Sequence, residues 1–169
     1  MAQAGILSED DRVELIDGEI VEMPAIGSHH AACVDRLNRL FSLRVGERAI
    51  VRVQNPIRLG PYTEPQPDLA LLRPRPDFYA SAHPTAEDIL LGVEVADASI
   101  EYDRTVKIPL YARAGIVEAW VVDLAAGAVE VYRVPTAQGY RDVGRAGRGD
   151  AISVGALAGV SLTVAEVVG

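Results

Sequence analysis

The stretch "LLGVEVADASIEYDRTVKIPLY", residues Leu90–Tyr111, decides how this chain is read. Its opening belongs to "ILLGVEVA" (Ile89–Ala96), where Leu90, Leu91, Val93, Val95 and Ala96 read as a buried β-strand. Glu94 sits inside that apolar run. An unpaired carboxylate in apolar surroundings costs several kcal/mol, or its pKa rises by roughly 3 pH units or more. A buried Arg or Lys partner, an exposed strand face or a metal ion would each account for it. The following "YDRTVKIPLYARAG" (Tyr102–Gly115) reads as a helix closed by Gly115. Pro109 inside it predicts a kink or an irregular first turn.

Working upstream, "EPQPDLALL" places Asp68 just after Pro67, at the start of a short strand bounded by prolines (Pro67–Pro74). The 26 residues from Asp68 to Glu94 are enough for a strand, a loop and a second strand beside the first. Carboxylates on neighbouring strands converge within a few Å and resist double ionisation. A divalent cation with a preference for hard oxygen removes that repulsion, and Mg²⁺ is typically held by one or two carboxylates with water and substrate phosphate. Glu94 is therefore read as a metal ligand with Asp68 as its partner.

The remaining elements follow from turn chemistry and periodicity. "VELIDGEIVEM" (Val13–Met23) is a β-hairpin around Asp17-Gly18, a pair suited to a tight turn with positive φ. "GSHHAACVDRLNRLFSLRVG" reads as a helix with Ser28 as N-cap, a stripe of Ala32, Cys33, Leu37, Leu40 and Phe41, and Gly46 as stop. "AIVRVQNPIRLG" (Ala49–Gly60) reads as one strand with Arg52, Gln54 and Arg58 alternating. "VEAWVVDL" and "AVEVYRVP" form two strands joined by a short Ala-Ala-Gly turn, and the apolar tail "AISVGALAGVSLTVAEVVG" packs on the sheet. The order predicts one α/β domain over residues 1–169, with a mixed central sheet, few flanking helices and an N-terminal β-hairpin.

Composition narrows the classes. Apolar residues make up 49% of the 169 and charged residues 24%, an ordinary globular balance. No apolar run approaches the roughly 18 residues of a spanning helix. The acidic opening "MAQAGILSEDD" lacks the basic and apolar regions of a signal peptide. The single cysteine, Cys33, excludes an internal disulfide framework and fits a reducing cytosol, predicting a cytoplasmic protein. A net charge of −8 argues against an indiscriminate nucleic-acid coat, though not against a local basic groove. No phosphate loop, dinucleotide fingerprint, nucleophile elbow or paired-cysteine zinc motif is present.

In "DRTVKIPLY", Asp103, Lys107 and Tyr111 fall at i, i+4 and i+8, roughly one helix face. Because this helix follows the Glu94 strand, its face can return over the carboxylates. Lys107 there would orient an attacking water or stabilise developing negative charge. The bland alternative is a surface Asp103–Lys107 pair worth about 0.3–0.5 kcal/mol.

These pieces together resemble the PD-(D/E)xK nuclease superfamily, and more closely its Uma-type bacterial family of restriction-endonuclease-like proteins. The resemblance rests on "VELIDGEIVEM", His30, "EPQPDLALL", "GVEVADAS", "YDRTVKIPLYARAGIVEAWVVD" and "VEVYRVP", from about Val13 to Val134. It implies a restriction-endonuclease-like core with Asp68 at the first acidic position and Glu94 at the second. The superfamily's lysine normally stands two residues after the second acid, where this chain has Ala96. In the Uma-type family a helix lysine takes its place, and Lys107 matches it. Glu14 matches an acidic position that helps bind metal in related nucleases.

The implied activity is Mg²⁺- or Mn²⁺-dependent hydrolysis of DNA phosphodiesters, with Asp68, Glu94 and Glu14 on the metal and Lys107 at the water or the transition-state charge. Auxiliary candidates are His30, Gln54, Asp103 and Tyr111, and Asp97 or Asp103 would steady Lys107. Each has a structural alternative: a solvated strand face for Glu14, capping for His29, His30, Asp97 and Asp103, and core packing for Tyr111 and Trp120. Arg52, Arg58, Arg73, Arg75 and Arg104 are candidate phosphate contacts. The competing readings are a non-catalytic module binding nucleic acid or protein on the same fold, and a structural protein pairing through a sheet edge. A homodimer fits any of them.

Overall fold

The structure, a computed structural model, describes residues 10–169. The reading of the opening segment falls largely on residues 1–9, outside the described residues. Asp17 and Gly18 both take positive φ, 48° and 84°, and join β1 (Val13–Ile16) to β2 (Glu19–Glu22) in the antiparallel hairpin that the Asp-Gly pair dictates. The hairpin is a separate two-stranded sheet. It is tethered by a backbone bridge between Leu15 and Glu64, with the Glu64 N–H donating to Leu15 O at 2.7 Å.

Helix α1 (Ser28–Val45) buries Cys33, Val34, Leu37, Phe41 and Val45 along one stripe. Gly27 takes the N-cap position rather than Ser28, with no side-chain cap, and Gly46 ends the helix at φ 57°. The central sheet has six strands in the order β3 (Ile50–Val53), β4 (Leu69–Leu72), β5 (Ile89–Ala96), β6 (Glu118–Asp123), β7 (Ala128–Thr136) and β8 (Gly139–Ala146). All neighbours are antiparallel except β5 and β6. That parallel pair requires a crossover, which the helical segment between them supplies.

Alternation along β4 and β5 divides the core. Leu69, Leu71, Leu91, Val93 and Val95 pack with α1, Trp120 and the C-terminal tail. Ala70, Leu72, Ile89 and Ala96 pack with Ile108, Tyr111 and Ile116. The strand around Glu94 is thus apolar on both faces because each is covered, as expected for a strand inside a sheet layered by helices. The tail forms β9 (Ala151–Ser153), β10 (Ser161–Thr163) and α4 (Val164–Val168), and Val164 and Val167 are buried in the α1 side of the core.

Three readings are corrected. The strand expected over Ala49–Gly60 stops at Val53: Gln54 turns to φ 50°, Asn55 Nδ2 donates back to Val53 O, and Pro56 has no N–H for a ladder. The helix expected from Tyr102 begins at Ile100 and is not uniform. It runs as α2 (Ile100–Tyr102), a π turn (Asp103–Lys107) and α3 (Ile108–Ala114). Pro109, in the first turn of α3, cannot donate to the carbonyl four residues back, and the widened turn lies immediately before it. Finally, β8 is an additional strand whose charged residues Arg141, Asp142 and Arg145 mask it in sequence and suit an exposed edge. Gly115 closes α3 at φ 86°, as its position predicted.

Candidate functional site: an acid-rich cavity beside the hairpin

Asp68 precedes β4 by one residue. The β4–β5 register pairs Leu69 with Val93, so one further step sets Asp68 opposite Glu94. Residues directly opposite on antiparallel strands share a face with Cβ atoms about 4.5–5.5 Å apart. Asp68 is fixed there by two donors: the Val95 N–H at 2.8 Å to Oδ2, and His30 Nε2 from the first turn of α1 at 3.2 Å to Oδ1. That contact raises the His30 pKa against the opposing effect of burial.

Glu94 is only 4% exposed. Burial drives its carboxyl pKa well above the ordinary range, and Lys107 opposes that rise. Lys107, 3% exposed, reaches back from the π turn with Nζ 2.9 Å from Glu94 Oε1 and 2.5 Å from Glu14 Oε1. Burial alone would lower the lysine pKa, but Glu94 and Glu14 outweigh it and hold the ammonium protonated. The Tyr111 hydroxyl donates to Glu94 Oε1. Glu14, on the hairpin, also accepts the Gln66 N–H at 2.8 Å. Asp103 is buried and accepts from Ser99 Oγ at 2.9 Å, and burial pushes its pKa up to about 6. The helix lysine therefore reaches the second acid's carboxylate although Ala96 occupies the strand position.

These groups converge on a cavity of about 450 Å³ between the hairpin, the β4–β5 ends and α2. Glu14, His30, Asp68, Glu94, Asp103 and Lys107 all line it. Tyr111 acts from behind, through Glu94. Gln54 is not among the lining residues: its backbone turns at φ 50°, and its N–H is spent on Asp68 O. Gln66 takes the place that Gln54 was expected to fill. Asp97 lines the cavity and is exposed. Ser99, not Asp97, stands at the N-cap of α2. His29 is exposed outside the lining, and Trp120 is core, its Nε1 donating to Glu118.

The arginines named from sequence are held elsewhere. Arg58 pairs with Glu64, Arg75 with Asp77, and Arg104 with Glu130. Arg52 and Arg73 donate to the backbone oxygens of Phe78 and Glu87. Each has a local partner and none lines the cavity; its lining arginine is Arg12. Sequence reasoning also missed Tyr102 and Gln66. Gln66 lies within "EPQPDL", two residues before Asp68, which was the available signal. Tyr102 was hidden by a helix face counted from Asp103 at regular α spacing.

The fit to a metal ion is one of chemistry rather than of a ready-made cage. Among the described residues, no group of three or more His, Cys, Asp or Glu side chains is gathered to hold an ion. The wall nevertheless carries Glu14, Glu22, Asp68, Glu94, Asp97 and Asp103 against Arg12, Lys107 and His30. Carboxylates in excess are the donors that hard divalent cations take. Both contacts to Glu94 fall on Oε1, leaving Oε2 outside the lysine pair.

The mixed sheet, its flanking helices and the N-terminal hairpin define a restriction-endonuclease-like fold. Residues 2–165 match the Uma2 family model, described as "Putative restriction endonuclease", and the chain belongs to that family. A solved structure from Anabaena variabilis ATCC 29413, described as "a putative nuclease belonging to DUF820", is similar over 98% of this chain and 94% of its own, with TM-score 0.79 at 16% identity. At that identity the likeness concerns the fold. No curated protein matches the chain. No helix among the described residues is long and apolar enough to cross a membrane.

Proposed function

We propose that this protein is a nuclease that hydrolyses DNA phosphodiester bonds with the help of Mg²⁺ or Mn²⁺. The observation that carries the reading is the gathering of Asp68, Glu94, Glu14 and Lys107 on one cavity, with the lysine buried between two carboxylates. Asp68 and Glu94, with Glu14, would hold the ion. When bound, such an ion polarises the scissile phosphate and lowers the pKa of a water. The Val95 N–H and His30 orient the Asp68 carboxylate, and Tyr111 orients that of Glu94. Lys107, kept protonated, serves as a cationic donor for charge developing on the phosphate and not as a proton acceptor.

A second reading, a binding module that does not cut, draws on one observation: Lys107 ion-pairs with both Glu14 and Glu94 and balances part of their charge. Cleavage of plasmid and single-stranded DNA in Mg²⁺ and in Mn²⁺ separates the two. Cutting that is lost in Asp68→Ala, Glu94→Ala and chelator supports the nuclease. DNA binding without cutting under every condition favours the module.

A further inference from the structure

We propose that Arg12 anchors a phosphate of the substrate strand other than the one being cut; this rests on the nuclease reading above. The acid-rich lining is what makes an anchor necessary. Glu14, Glu22, Asp68, Glu94, Asp97 and Asp103 line the cavity against only Arg12, His30 and Lys107. A DNA strand brings one negative charge per nucleotide, and the phosphates that fix its register are met by cationic and N–H donors of the protein. Two of the three cationic groups are already engaged with carboxylates. Lys107 lies between Glu14 and Glu94, and His30 is held on Asp68.

Arg12 is placed differently. It immediately precedes β1, and its backbone oxygen accepts the Met23 N–H at 2.8 Å, closing the open end of the hairpin. Its side chain crosses to the segment between β2 and α1, where Nη1 donates to Pro24 O at 3.1 Å. That partner is a neutral carbonyl, so the bond leaves the positive charge uncancelled. A guanidinium carries five N–H donors in a fork that matches phosphate oxygens, and one bond to a carbonyl uses few of them. The same bond holds the long side chain in place, which lowers the ordering cost of binding. Arg12 is exposed while lining the cavity, so a strand arriving from solvent can meet it. Its charge is felt at His30, where it opposes the rise that Asp68 causes, whereas that of Lys107 acts on Glu94 and Asp103. The two cations therefore divide the work: Lys107 serves the phosphate being cut, and Arg12 one further along the strand.

The test is fluorescence anisotropy in Ca²⁺ on labelled DNA, single-stranded or duplex, whichever wild type binds more tightly. One phosphate at a time is replaced by a neutral methylphosphonate, and wild type is compared with Arg12→Gln and Arg12→Lys. Glutamine keeps an N–H for Pro24 O and lysine keeps the charge, and the position is exposed, so both variants spare the fold. Arg12→Gln should bind unmodified DNA about tenfold more weakly, and its plot of log K against log salt should be shallower by about 0.7–0.9. Arg12→Lys should keep the wild-type slope and lose about threefold, since it lacks the fork. At one position a methylphosphonate should weaken wild type about tenfold and leave Arg12→Gln unchanged. Wild-type affinity and slope in Arg12→Gln, or a loss that no single methylphosphonate reproduces, overturns the inference. The two readings fail separately: Asp68-dependent cutting with Arg12→Gln binding as wild type does sinks this inference and leaves the nuclease. One phosphate read through Arg12 without any cutting upholds the inference and sinks catalysis.

Discussion

One π turn sends two cations in different directions, and their destinations differ in kind. Lys107 enters the cavity and sits between Glu14 and Glu94, which are almost wholly buried. Arg104, three residues earlier, reaches the sheet, with Nε 2.9 Å from Glu130 Oε1 and a further contact to Asp123 at 3.5 Å. Around Glu130 the donors are plentiful: Tyr132 Oη lies at 2.6 Å and Arg145 at 3.4 Å. Burial would raise the Glu130 pKa, but Arg104 and Tyr132 overcome it and the net direction is down. Around Glu94 and Asp103 burial wins and the direction is up. A satisfied ion-pair network is scaffolding. Carboxylates held uneasily at an open cavity are the arrangement that ligand chemistry uses.

The largest contrast should appear in activity. Asp68→Ala or Glu94→Ala should reduce metal-dependent cleavage on the order of 10³-fold, whereas Glu130→Gln should leave it within about threefold. Plasmid nicking rates measure both. Stability should separate the clusters next. Lys107→Met leaves two buried carboxylates uncompensated and should destabilise by about 3–5 kcal/mol in urea unfolding. Arg104→Met, from a partly exposed network, should cost about 1–2 kcal/mol. Equal losses would erase the distinction between the clusters.

The pH dependence should differ in sign. Asp103, raised from 3.8 to about 6, contributes stability that is full below its unfolded value and lost as pH rises through about 6. Asp103→Asn should therefore gain on wild type as pH rises from about 4 to about 7. Glu130, lowered from 4.5, contributes stability present above that value and lost as pH falls through its folded value. Glu130→Gln should lose most near neutrality and approach wild type in acid. Urea midpoints across that range show whether the two trends oppose. A further contrast concerns the tyrosines. Tyr111→Phe strips a fully buried hydrogen bond to Glu94 and should cost about 1–3 kcal/mol, while Tyr132→Phe should cost less than about 1 kcal/mol.

Much of the fold was legible because its signals are local. Asp17-Gly18 specified the hairpin, Gly115 the end of α3, and the apolar run around Glu94 a covered strand. The strand β8 was not legible, since an edge with Arg141, Asp142 and Arg145 needs no apolar pattern. The end of β3 was misplaced because Gln54 enters the left-handed region, which no regular alternation announces. At the cavity, Glu94 was readable from charge set against apolar context, Asp68 from its place at the start of the neighbouring strand, and Lys107 from helix spacing together with the family resemblance. Gln66 was not, because it lies in a proline-flanked loop, and Tyr102 was not, because it ends the short α2 and falls outside a face counted from Asp103 onward.

Calorimetric titration of Mn²⁺ into wild type, Glu94→Ala and Glu130→Ala tests the central claim most directly. The account predicts binding in wild type, its loss in Glu94→Ala and its retention in Glu130→Ala. Absence of binding in wild type, or binding indifferent to Glu94, would contradict it and leave Lys107 as the cation that Glu94 serves.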